Sequence, residues 1–130
     1  MKSIKVKDFM AAAVITLHPD QKVLDAIHTL VTNRISGAPV VDDTGDLVGV
    51  LSERDCLQLT LHTGYHGEES GLVRDYMATQ VESVDPTTNI VDIAHLFMTK
   101  PYRRYPVVRN NRVVGVISRR DVLRCLLAQR

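Results

Sequence analysis

The sequence predicts a mixed α/β (α+β-like) fold made of two pseudo-symmetric β-α-β-β-α repeats packed through their sheets. Three observations lead there. The chain matches itself at an offset of 67 residues. Each half alternates short β-branched segments with apolar stripes at spacings of three and four, the periods of strand and helix. Each half of about 60 residues is marginal by itself, so the two are expected to share a core.

The repeat is explicit. Val6-Lys7-Asp8-Phe9-Met10-Ala11 aligns with Val73-Arg74-Asp75-Tyr76-Met77-Ala78. The same offset carries Pro19 onto Pro86, Asp25 onto Asp92, His28 onto His95, and Pro39-Val40-Val41 onto Pro106-Val107-Val108. One residue is then lost in a turn, and an offset of 66 carries Val48-Gly49-Val50 onto Val114-Gly115-Val116 and Ser52, Arg54 and Asp55 onto Ser118, Arg120 and Asp121. About 19 of roughly 53 aligned positions are identical, where average residue usage gives about three or four. The expected organisation is repeat 1 over 1–63, a linker over 64–71, and repeat 2 over 72–130.

Within each repeat the elements follow in order. Val14 to Leu17 reads as a short extended segment. Asp20 is the candidate N-cap of a helix whose apolar stripe is Val23, Ala26, Ile27, Leu30 and Val31. Its twin has Thr87 as candidate cap and Ile90, Ile93, Ala94, Phe97 and Met98 as the stripe. A hairpin comes next, Pro39 to Val41 and Leu47 to Leu51 around Asp42-Asp43-Thr44-Gly45-Asp46. In the second copy, Pro106 to Val108 and Val113 to Ile117 flank Asn110-Asn111, residues that accept positive φ in tight turns. A closing helix is expected after Ser52, ending near His62, and another after Ser118.

Composition narrows the function. The chain has 130 residues, 45% hydrophobic and 24% charged, and no apolar run approaches the roughly 18 residues that span a bilayer. Lys2, Lys5 and Lys7 ahead of the run Phe9 to Ile15 mimic a signal peptide, but the same pattern recurs mid-chain, where no targeting sequence acts. Cys56 and Cys125 are too few for a disulfide framework and are expected to be reduced thiols of a cytoplasmic protein. A net charge of +1, 5% aromatics and no Trp argue against a generic polyanion binder. The charge is uneven, however: residues 1–65 carry six Lys/Arg against eight Asp/Glu, and residues 66–130 carry ten against seven.

Val-x-Asp-x-Met-Ala, Pro-Val-Val, and Val-Gly-Val-(Leu/Ile)-Ser-x-Arg-Asp resemble the CBS domain. Two copies resemble one CBS pair, or Bateman module, from Val6 to about Leu127. The resemblance implies a non-catalytic regulatory sensor that binds an adenine nucleotide or other adenosyl ligand (AMP, ADP, ATP, S-adenosylmethionine or NAD) in the inter-repeat cleft. It implies no required cofactor, a homodimer, and an unidentified regulated protein as partner. The alternatives are a nucleic-acid-binding protein using the arginine-rich second repeat and a ligand-free dimerisation scaffold.

The resemblance also nominates residues. Ser52 with Asp55 and Ser118 with Asp121 match the segment that holds the ligand ribose, where two carboxylate oxygens can each accept from one hydroxyl. The same spacing is nearly a helix capping box, although that box favours Glu or Gln. The two roles are compatible. Arg103, Arg104, Arg119 and Arg120 are the candidate phosphate contacts, since phosphate needs cations or free amides. The first repeat has Ser36 and Gly37 where the second has Arg103 and Arg104, so an equally strong second phosphate site is not expected. Arg109, Arg112, Arg124 and Arg130 read as solvated surface charges. His28 and His95 read as core-edge or dimer contacts. His62 and His66 are a poor metal pair because Gly64 lies between them. No Walker loop, nucleophile elbow or dinucleotide fingerprint is present.

Overall fold

A computed structural model describes residues 4–61 and 71–130. The expected linker, apart from Gly71, lies outside the described residues, as do His62 and His66. The chain forms two compact units: a contiguous unit over 15–81 and a composite unit that joins 1–14 to 82–130.

In the contiguous unit, α1 spans Val23–Asn33 and buries Val23, Ala26 and Leu30 of the expected stripe. It stops at Arg34, which takes the left-handed conformation (φ 53) and donates its N–H to Leu30 and Val31. Strands β1 (Gly37–Val41) and β2 (Leu47–Ser52) pair antiparallel, and α2 (Glu53–Leu57) follows at once and tightens into a 3-10 turn over Gln58–Leu61. The turn between the strands is closed by Asp42, whose Oδ1 accepts from the N–H groups of Thr44 and Asp46.

The composite unit repeats this design. Helix α3 (Ile90–Thr99) buries Ile90, Ile93 and Phe97. Strands β3 (Arg104–Arg109) and β4 (Arg112–Ser118) pair antiparallel around Asn110 and Asn111, whose φ values of 52 and 63 are the ones the tight turn requires. Helix α4 (Arg119–Ala128) closes the unit. Each unit has its own core. Leu17, Val23, Leu30, Val40 and Leu51 are central to one, and Ile90, Ile93, Tyr105, Val107 and Ile117 to the other.

The expected first strand of each repeat contracts to a single parallel bridge, Leu17 to Val40 and Val84 to Val107. The missing strand positions are taken from the other side of each small sheet. Ala78 pairs antiparallel with Val50 of β2, and Ala11 pairs with Val116 of β4. The segment that opens each repeat therefore completes the unit holding the other repeat's hairpin. Residues 4–11 run against α3 and β4, and residues 71–78 against α1 and β2.

This exchange accounts for two of the sequence motifs together. In Val-x-Asp-x-Met-Ala, Val6 and Val73 are wholly buried, and Asp8 and Asp75 accept from the N–H groups of Lys5 and Leu72 to close a 3-10 turn. The Met-Ala that follows crosses the glycine of Val-Gly-Val. A Cβ on Gly49 would stand 2.8 Å from the Ala78 oxygen, and one on Gly115 would stand 3.0 Å from the Ala11 oxygen, so glycine lets the backbones cross this closely without a shift.

It also corrects both expected helix caps. Asp20 does not cap α1. The N-cap residue is Lys22, whose side chain has no acceptor, and the first amide, Val23 N–H, donates to the Gly71 carbonyl at 3.0 Å. Asp20 instead pairs with the Arg74 guanidinium. Thr87 does not cap α3. Asn89 does, accepting from Val91 N–H at 2.8 Å, while Ile90 N–H donates to the Ile4 carbonyl and Thr87 bonds Asp85. At α1 a carbonyl from a crossing backbone takes the place of a side-chain cap, and at α3 a crossing carbonyl and the Asn89 side chain share the first amides.

Candidate functional site

The site is built where β4 turns into α4. Ser118 ends the strand in an extended conformation, and its Oγ accepts from Asp121 N–H while the Asp121 carboxylate accepts from Ser118 N–H at 2.8 Å. Ser52 and Asp55 make the same reciprocal pair at the start of α2, at 3.1 and 2.9 Å. Both Ser-x-x-Asp segments are thus capping boxes, with Asp in place of the favoured Glu. They differ in what remains free. Asp121 is 94% buried and also accepts from Ser118 Oγ and from the Arg124 guanidinium. Asp55 is half-buried, and its Oδ1 holds no bond among the described residues.

Around this cap lies an open cavity of about 640 Å³, lined by Arg103, Arg104, Ser118, Arg119, Arg120, Leu123, Arg124 and Leu127. All four arginines expected from the sequence, together with Ser118, reach this one cavity; Asp121 does not line it. Arg119 N–H donates to the Arg103 carbonyl at 3.2 Å, which ties the start of α4 to the start of β3 and brings the two arginine pairs together. Arg120, Leu123, Arg124 and Leu127 follow at spacings of three and four along one face of α4. Arg124 was expected to be a solvated surface charge and instead lines the cavity. Its position four residues beyond Arg120 was the available signal.

The guanidiniums are not equally engaged. Arg124 is bonded to Asp121, and Arg119 donates to the Phe97 carbonyl at 3.4 Å. Arg103, Arg104 and Arg120 have no acidic partner among the described residues. The Nε of Arg104 is buried without any hydrogen-bond partner, a state that costs about 1–3 kcal/mol. Lys100, in the same basic stretch, is paired with Glu82 at 3.2 Å.

The equivalent positions of the contiguous unit are chemically different. Ser36 and Gly37 replace Arg103 and Arg104, Glu53 replaces Arg119, and Gln58 replaces Arg124; only Arg54 keeps the charge of Arg120. The backbone is nevertheless the same. Glu53 N–H donates to the Ser36 carbonyl at 2.8 Å, the counterpart of Arg119 to Arg103.

Next to the cavity wall, Tyr105 is 1% exposed, packs on Phe97 and Tyr102, and has a hydroxyl with no hydrogen-bond partner. Burial, and then the charge of Glu82, raises its pKa. His28 and His95 are exposed on α1 and α3. Among the described residues, no group of three His, Cys, Asp or Glu side chains is placed to hold a metal, and no helix is long and apolar enough to cross a membrane.

The chain is a tandem-repeat protein that exchanges its opening segments, caps each closing helix with Ser-x-x-Asp, and collects cations at one of the two caps. Comparison with known proteins gives the family. The CBS domain model matches residues 6–62 and 73–128, and the chain belongs to the CBS domain family. The CBS domain-containing protein YhcV of Bacillus subtilis is 31% identical over 117 residues, covering 90% of this chain and 81% of YhcV. Protein MJ1225 of Methanocaldococcus jannaschii is 31% identical over 121 residues, 93% of this chain but 42% of its own length, so the chain spans less than half of that relative. Among solved structures, CBSX2 of Arabidopsis thaliana in complex with AMP superposes with a TM-score of 0.85 at 33% identity, covering 96% of this chain and 97% of CBSX2.

Proposed function

We propose that this CBS pair is a non-catalytic, cytoplasmic regulatory module whose ligand is an adenine nucleotide or other adenosyl compound. Its phosphate is held by Arg103, Arg104, Arg119 and Arg120. The carrying observation is the arginine-lined cavity of the composite unit, set against the equivalent positions of the contiguous unit, Ser36, Gly37, Glu53 and Arg54, of which only Arg54 is basic. The AMP complex of CBSX2 supports the ligand class. Arg103, Arg104 and Arg120, which line the cavity and have no acidic partner among the described residues, support an anionic ligand. Ribose is assigned to the Ser-x-x-Asp carboxylates. In the composite unit that carboxylate is Asp121, which the ligand would share with Ser118 and Arg124.

A second copy of the chain is the proposed partner, alongside an unidentified regulated protein. Val31 and Met98, at the same position of the two repeats, are 72% and 87% exposed. The composite unit carries twelve Lys/Arg against five Asp/Glu and the contiguous unit four against ten, so a second copy offers each unit a surface of opposite charge.

The test is a melting panel of AMP, ADP, ATP, S-adenosylmethionine and NAD with sedimentation of the apo chain. A ligand at about 100 times its dissociation constant adds roughly 2.7 kcal/mol of stability, about 3–5 °C per kcal/mol removed or added for a chain of this size. No shift with any member overturns the ligand reading, and a monomer at all concentrations overturns the dimer. The positive excess of the composite unit is the one observation favouring nucleic acid instead. That reading requires oligonucleotide binding that falls steeply with salt and ignores free nucleotide.

A further inference from the structure

We propose that the arginine-lined cavity holds a chain of two or more phosphates, so that the ligand is a nucleoside di- or triphosphate in preference to a monophosphate or an uncharged-tail adenosyl compound. This rests on the reading above that the cavity is the phosphate site, and sharpens it to one ligand class.

Charge is the first argument. A phosphomonoester brings about −1.5 to −2. Setting aside Arg124, which is neutralised by Asp121, the cavity presents the guanidiniums of Arg103, Arg104, Arg119 and Arg120 with no acid among its lining residues. One monophosphate leaves an excess of like charge in a shared space, and each added phosphate removes part of that excess.

Extent is the second. The arginines come from two walls, Arg103 and Arg104 where β3 begins and Arg119 and Arg120 where α4 begins, around a volume of about 640 Å³. A single phosphate is much smaller than that space, whereas a phosphate chain meets successive donors along it.

The third argument removes the architectural explanation. The contiguous unit builds the same hairpin, the same capping box and the same carbonyl-to-helix hydrogen bond with Ser36, Gly37 and Glu53 in place of Arg103, Arg104 and Arg119. The fold does not need these arginines. Clustered like charges oppose compactness, so their presence at one repeat only is explained by what they bind.

The experiment is calorimetric titration of the full chain with AMP, ADP, metal-free ATP and inorganic triphosphate at two salt concentrations. ATP is expected to bind at least about tenfold tighter than AMP, the equivalent of one added charge-assisted hydrogen bond. ADP should fall between them, the ATP affinity should drop more steeply with salt, and inorganic triphosphate should compete with ATP. Arg103→Ser with Arg119→Glu, the residues that the other repeat uses on the same backbone, should bring ATP down to the level of AMP; the melting temperature of the double variant verifies that it is folded. AMP binding as tightly as ATP overturns this inference and leaves the adenosyl reading standing. Failure of all three nucleotides and of inorganic triphosphate to bind overturns this inference and the phosphate assignment of the cavity, and failure of S-adenosylmethionine and NAD as well overturns the adenosyl reading. Binding of a single-stranded oligonucleotide that ATP does not displace overturns both in favour of nucleic acid.

Discussion

Met10 lies directly over Gly115: its sulfur is 2.5 Å from where a Cβ on that glycine would stand, and Met77 meets Gly49 in the same way at 2.7 Å. Two residues more than 100 positions apart in the chain thereby form one joint, and the joint holds the composite unit's opening segment against β4.

Gly115→Ala is accordingly expected to destabilise the protein by about 1–3 kcal/mol, the usual cost of forcing a methyl into filled space. Met10→Ala in the same chain should recover part of that loss, because the flexible sulfur is removed while the Ala11 carbonyl at 3.0 Å stays in place. Urea unfolding of the three variants measures both; an unchanged midpoint for Gly115→Ala would show that residues 4–11 do not pack here.

The two capping boxes should not be equally costly to break. Ser52→Ala and Ser118→Ala each remove a cap worth about 1 kcal/mol. Asp121→Ala also strips a 94% buried carboxylate of its bonds to Ser118 and Arg124, and is expected to cost about 1–3 kcal/mol, more than Asp55→Ala. Equal losses for the two aspartates contradict this assignment.

Asp85 gives the protein an acid-sensitive contact. The Thr87 hydroxyl, then the Thr87 N–H, hold its carboxyl below the usual carboxylate value of 3.8. The associated stability is therefore complete above that value and is lost as pH falls through the lowered, folded-state pKa. Thr87→Val should move the Asp85 titration upward in a carbon-detected NMR pH series. Asp42 is held low by the Thr44 hydroxyl and should respond to Thr44→Val in the same direction.

The thiols are expected to be inert. Burial, then the charges of Asp55 and Glu53, push Cys56 up to about 11, and burial also raises Cys125. Neither should react appreciably with a disulfide reagent at pH 8 in the folded protein, and both should react once it is denatured. Because the folded pKa lies above the unfolded one, the contribution of each thiol to stability is intact below the unfolded pKa and declines as pH rises through the folded one, which for Cys56 is about 11. Rapid labelling of native Cys56 at pH 8 would refute this.

Much of the fold was legible in the residues themselves, wherever the deciding contact is local. The stripes Val23-Ala26-Leu30 and Ile90-Ile93-Phe97 became buried helix faces, Asn110-Asn111 adopted the positive φ of a tight turn, and each Ser-x-x-Asp capped the helix it begins. Period, turn chemistry and capping act over a few residues, so the linear order carries them. Arg103, Arg104, Arg119 and Arg120, which the resemblance nominated, come together because they flank a hairpin whose ends meet.

Tertiary structure alone decided the rest. Gly71 and Ile4 supplied carbonyls to the first amides of α1 and α3, because an amide bonds the acceptor nearest in space; at α1 that left Asp20 without the capping role, whereas at α3 the local Asn89 side chain took the place expected of Thr87. Arg124 joined the cavity because α4 turns it onto the face of Arg120. The exchange of residues 1–14 into the unit of 82–130 also redistributes charge. Divided by sequence halves the chain reads −2 and +3, but divided by compact units it is −6 and +7. Lys5 and Lys7 belong in space with the arginines of the second repeat, and Coulomb interactions follow distance in space.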